Sequence, residues 1–125
     1  MLAELRAALT EVAVPTDAAP MAAYMKDRFP FLGVKTPARR RASRPVISAS
    51  KRAPIDEVVR LAHELRAQPE REFHYVASDV LRANQQRLLA RHLDDLEQFV
   101  TTDAWWDTVD ALASPTIGTM AQNHP

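Results

Sequence analysis

The stretch PIDEVVRLAHELRAQPEREFHYVASDVL, residues 54–81, decides the fold. Ile55, Val58, Val59, Ala62 and Leu65 recur at steps of three and four, which places them on one face of an α-helix. Gln68-Pro69 ends that run, and Pro69 opens another, because a residue without an N–H is tolerated only in a first helical turn. Phe73, Val76, Ala77, Val80 and Leu81 then repeat the spacing. Two amphipathic helices of about three turns, joined by a short Pro-marked link, bury their stripes by folding back on one another.

The flanking sequence reads the same way. Leu2, Leu5, Leu9 and Val12 form an amphipathic stripe over 2–12, broken at Val14-Pro15-Thr16. Asp17 can cap a second helix running to about Arg28, with Pro20 in its first turn. Residues 29–34, FPFLGV, read as a buried connector. Thr36-Pro37 signals a helix start with Thr as N-cap, and Pro45 is expected to kink or split that helix. A further helix spans Leu88 to Val100 with Leu89, Leu93, Leu96, Phe99 and Val100 on its apolar face, and a last one begins near Asp103. No segment alternates like a strand. The expected fold is all-α, either an α-solenoid of antiparallel helix pairs or a plain bundle, in one domain over 1–125. No exact repeat of fixed period supports the solenoid by itself.

The chain has 125 residues, 46% of them apolar and 26% charged, as in an ordinary domain. It has no Cys, which excludes disulfides, zinc-thiolate and iron–sulfur sites and a cysteine nucleophile. Two glycines leave no room for a P-loop or a dinucleotide fingerprint. No apolar run has the length of a membrane span, and MLAELRAALT lacks a secretory h-region, so the expected setting is cytoplasmic, with no membrane partner. Net charge is zero, yet residues 21–52 hold nine Lys and Arg against one Asp, and residues 53–125 hold six Arg against twelve Asp and Glu. A basic block of this kind marks either a polyanion-binding face or a solvated helix surface. His63-Glu64 resembles the opening of a zincin motif, but Ala67 stands where the second His belongs; His74, His92 and His124 have no ligand spacing, so no metal or cofactor is expected.

The most specific constellation lies at 103–113. On a helix from Asp103, Trp105, Val109 and Leu112 form one apolar stripe, while Trp106 and Asp110 stand one turn apart on its neighbour. An indole and a carboxylate on one ledge can embrace a cationic ligand. The alternative, which spacing alone favours, is that Trp106 half-covers a neighbouring helix with Asp110 solvating it. Asp107, near the helix N-terminus, reads as structural.

MAAYMKDRFPFLGVKTPARR at residues 21–40, PEREF at 69–73 and WWDTVD at 105–110 together resemble the AlkD-like DNA alkylation-repair glycosylases, and the likeness runs from about residue 15 to the end. The resemblance implies a HEAT-like α-solenoid whose concave basic face grips double-stranded DNA. It implies excision of positively charged N3- or N7-alkylated purines, without flipping the base into a pocket. Carried over, Asp110 is the catalytic carboxylate and Trp106 contacts the lesion's deoxyribose. Lys26, Arg28, Lys35, Arg39 and Arg40 would meet phosphates, with Tyr24 lining the groove. Arg39, Arg40 and Arg41 are consecutive and span about 200° of helix, so they cannot all face one ligand.

The chemistry this implies is spare. An alkylated purine cation is already a good leaving group, so a fixed carboxylate beside the sugar, stabilising its developing positive charge, carries the step. Family members continue beyond the point where this sequence stops, at Asn123-His124-Pro125. The expectation is therefore the N-terminal part of a longer fold, truncated, with self-association or pairing with a C-terminal half. A non-catalytic HEAT-like DNA- or protein-binding module, or an inactive fragment, is the competing expectation.

Overall fold

The helices hide most of the apolar stripes read from the sequence. The computed structural model describes residues 1–101, and the side chains of residues 1–99. Six helices appear among them: α1 (Leu2–Val12), α2 (Pro15–Tyr24), α3 (Thr36–Ser50), α4 (Ile55–Arg66), α5 (Arg71–Ala83) and α6 (Leu93–Thr101), with 3₁₀ turns at Gln85–Arg87 and Ala90–His92. There is no strand among the described residues, so the all-α expectation holds. The helix expected from Asp103 lies outside them, with Trp105, Trp106, Asp107 and Asp110.

The core follows the sequence pattern closely. α1 buries Leu5 and Leu9; α4 buries Val58, Val59, Leu61, Ala62 and Leu65; α5 buries Phe73, Val76, Ala77, Val80 and Leu81. α5 packs on α4 across the link at 67–70, α3 packs on both α1 and α5, and α4 also meets α1 and α6. Paired helices joined by short links thus share one apolar cluster.

The departures from expectation each have a local cause. α2 begins at Pro15 rather than at an Asp17 cap, and stops at Tyr24 instead of near Arg28. Its end is a Schellman closure: the N–H groups of Asp27 and Lys26 donate to the Ala22 and Ala23 carbonyls at 2.8 and 2.9 Å, with Lys26 and Asp27 at φ 56° and 57°. Glycine usually holds that left-handed position, so a lysine there hides the helix end from a sequence reader. α3 starts at Thr36, with Lys35 as N-cap, and no side-chain cap holds it. α3 also runs unbroken through Pro45. An interior proline costs about 3 kcal/mol, and here the ring lies on the exposed side while Ser43, Val46 and Ser50 are buried on the other.

The expected helix from Leu88 is instead the turn Ala90–His92 followed by α6 from Leu93. Leu88, Leu96 and Phe99 are buried, whereas Leu89 and Leu93 are exposed. Two polar anchors impose the turns. The Arg87 guanidinium donates to the carbonyls of Ser50, Lys51 and Ala53, closing the C-terminal end of α3. His92 Nδ1 accepts the Leu89 N–H at 3.0 Å while Nε2 donates to Asp56 at 2.8 Å. His92 is a core histidine, and so is His74, whose Nδ1 accepts from Arg71 and whose Nε2 donates to the Gln68 carbonyl. His63 pairs with Asp95 at 2.7 Å, tying α4 to α6.

The first turn of α5 organises the connector at 29–34. The Glu72 carboxylate, fully buried, accepts the backbone N–H groups of Leu32, Gly33 and Val34 at 2.9–3.1 Å. Arg71 donates its backbone N–H to the Pro30 carbonyl and lays its guanidinium 3.9 Å from the Phe29 ring centre. Gly33, at φ 98°, sits so close to Val14 that a Cβ would lie 2.2 Å from the Val14 oxygen, while Val14 N–H donates to the Gly33 carbonyl. On the other side, Glu70 pairs with Arg6 of α1, which also lies over Phe73. Replacing Glu72 by Gln turns an acceptor-only group into one whose NH₂ faces a backbone donor. We expect Glu72→Gln to lower stability by about 3 kcal/mol, read as a fall in thermal midpoint, because buried amides lose charge-assisted partners.

Candidate nucleic-acid interface

The connector held by Glu72 forms one wall of an open cleft of about 520 Å³. α2 supplies Pro20, Met21 and Tyr24; the connector supplies Phe31 and Val34; α3 supplies Thr36, Arg39 and Arg40; α5 supplies Tyr75, Ser78, Asp79 and Arg82. Three aromatic rings and three guanidinium groups therefore line one concavity. Cationic side chains beside flat apolar rings suit a ligand carrying phosphates and bases.

Of the residues singled out from the sequence, the fold brings Tyr24, Arg39 and Arg40 to this cleft. Tyr24 is 74% exposed, at the last turn of α2, and Arg40 is exposed as well. Arg39 is different: its side chain is only 11% exposed, with its guanidinium 4.8 Å from the Tyr75 ring centre. Lys26 and Arg28 are exposed beyond the C-terminal end of α2, outside the cleft lining. Lys35, at the entry to α3, is exposed with Nζ 3.9 Å from Asp17. The basic block is thus mostly solvent-facing, with one member drawn inward.

Tyr75, Asp79 and Arg82 were not picked out from the sequence. They stand at i, i+4 and i+7 along α5, beside its buried stripe, so a polar and aromatic stripe on the same helix was the available signal. Asp79 lies 3.8 Å from both Arg39 and Arg82. Burial raises the Asp79 carboxyl above the usual aspartate range, against the pull of Arg39, Arg82 and Arg40. Burial likewise lowers the Arg39 guanidinium, against the support of Asp79 and Tyr75. Each charge costs more to desolvate than its partner returns, as expected for buried ions too far apart to hydrogen-bond.

No group of His, Asp or Glu that could hold a metal ion occurs among the described residues, and no helix there is long and apolar enough to cross a membrane.

A family model described as DNA alkylation repair enzyme matches residues 5–125, and the chain belongs to that family. Among solved structures it is similar to a predicted DNA alkylation repair enzyme from Enterococcus faecalis, at 32% identity and a TM-score of 0.81. That match covers 90% of this chain and 52% of the other, so the chain spans about half the length of its solved relative. No curated protein matches.

The strain on Asp79 has a measurable sign. With its folded-state value raised, the stability linked to Asp79 is fully present below its unfolded value, near 3.8, and is lost as pH rises through the folded one. We expect Asp79→Asn to melt at a higher temperature than the parent at pH 7, and the difference to vanish below about pH 4.

Proposed function

We propose that the chain binds duplex DNA containing alkylated purines and hydrolyses the glycosidic bond of cationic N3- or N7-alkylated bases. Family membership supports a DNA-repair role, and the WWDTVD sequence at 105–110 supports the specific reaction. The single observation that carries the DNA reading is the cleft, which gathers Tyr24, Arg39 and Arg40 from two separate helices into one aromatic and cationic concavity.

In this reading the phosphodiester backbone meets Arg40 and the exposed Lys26, Arg28 and Lys35, contacts that set register without reading sequence. Asp110 stabilises positive charge developing on the deoxyribose as the bond to the purine opens. The base departs as a neutral alkylpurine, its electron pair cancelling its positive charge, and water adds to the sugar carbon with loss of a proton. No general acid is needed, because the leaving group is cationic from the start. Trp106, four residues before Asp110 in the sequence, offers a π face to the same sugar.

The test is release of 7-methylguanine or 3-methyladenine from methylated duplex DNA at low salt. We expect Asp110→Asn to cut the rate by about 10²-fold or more with DNA affinity retained. Salt-dependent binding without release, indifferent to residue 110, would instead identify a non-catalytic binding module.

A further inference from the structure

The proposed DNA reading leaves Asp79 unexplained, since a carboxylate in a phosphate-binding cleft repels its ligand. It stands between Arg39 of α3 and Arg82 of α5, 3.8 Å from each. That separation is too long for a hydrogen bond, so the carboxylate offsets the Arg39 charge without engaging its N–H donors. Arg39 Nε is buried and has no hydrogen-bond partner among the described residues. The guanidinium is nonetheless positioned, because it stacks over Tyr75. Burial works against both charges, on Asp79 and on Arg39. A stable structural ion pair would close to contact; this one stays open at the wall of a cleft that has room for a ligand.

We propose that Asp79 is the resident counter-ion of Arg39, and that a DNA phosphodiester takes over that role on binding, so that Asp79 sets how tightly the cleft grips nucleic acid. A phosphodiester oxygen at ordinary hydrogen-bond distance satisfies Arg39 Nε, the donor that Asp79 leaves open. With the protein free, the carboxylate lowers the local positive potential and weakens capture of undamaged DNA. The groups facing Asp79 are Arg39 and Arg40 on α3 and Arg82 on its own helix; among the described residues the Arg39 guanidinium also feels the Glu72 carboxylate, more weakly than Asp79.

The inference rests on the reading that DNA occupies this cleft, and the experiment separates the two. Binding of fluorescein-labelled unmodified duplex is measured against salt for the parent, Arg40→Gln, Asp79→Asn and Asp79→Glu. We expect Asp79→Asn to bind about tenfold more tightly, with a log–log salt slope steeper by about one unit, and Asp79→Glu to stay near the parent. Parent binding weakened by Arg40→Gln but unchanged or weakened by Asp79→Asn overturns the counter-ion role alone. Absence of salt-dependent binding by the parent overturns the cleft reading and this inference with it. Should Asp79→Asn fail to fold, the parent itself decides: the Arg39 Nε–H resonance is expected to shift and gain exchange protection when duplex is added, and an unchanged resonance overturns the proposal.

Discussion

A carboxylate buried at the start of α5 holds the described structure together. Glu72 accepts three consecutive backbone N–H groups from the 32–34 connector, groups that a buried loop could not leave unpaired. Its neighbours extend the hold. Glu70 reaches α1 through Arg6, Arg71 fastens Phe29 and Pro30, and Phe73 enters the core beneath the Arg6 guanidinium. Four consecutive side chains thus bind a helix, a loop and the core to one another.

The cleft is a consequence of that hold. The connector it fixes carries Phe31 and leads into α3, so the distance between Tyr24, Arg39 and the outer stripe of α5 depends on where residues 32–34 sit. Gly33 adds a second constraint from the other side, because its contact with Val14 sets where α2 begins. The same fixing lets Arg39 and Asp79 remain close yet not in contact. Rigid surroundings can maintain an electrostatically costly pair that a mobile surface would relax, and such strain gathers where a ligand is to be bound.

The polar anchors at the far end do different work. Arg87 on the carbonyls at the end of α3, and His92 between Leu89 and Asp56, stop one helix and orient the next. Both histidines in the core have a hydrogen-bond partner at each ring nitrogen, which suits a structural role. α6 is in turn joined to α4 by the His63–Asp95 pair, immediately before the segment that bears Trp106 and Asp110.

Much of this was legible along the chain. The stripes on α1, α4 and α5 name most of their buried apolar residues, missing Leu61 and including the half-buried Leu2, Val12 and Ile55, since apolar side chains at steps of three and four leave water together. The motifs at 21–40, 69–73 and 105–110 point to the family; of the six residues the resemblance put against DNA, Tyr24, Arg39 and Arg40 line the cleft and Lys26, Arg28 and Lys35 do not. What the order of residues could not convey was set by contacts between distant segments. The end of α2 rests on two non-glycine residues at positive φ, next to the buried Met25 and closed by hydrogen bonds to the Ala22 and Ala23 carbonyls. The survival of α3 through Pro45 rests on burial of its opposite face. The joining of Asp79 to Arg39 spans forty positions and two helices. Local periodicity reports which face of a helix is apolar, because that is a property of spacing; which charges share a low-dielectric cleft is a property of how the helices are stacked, and only the packed chain decides it.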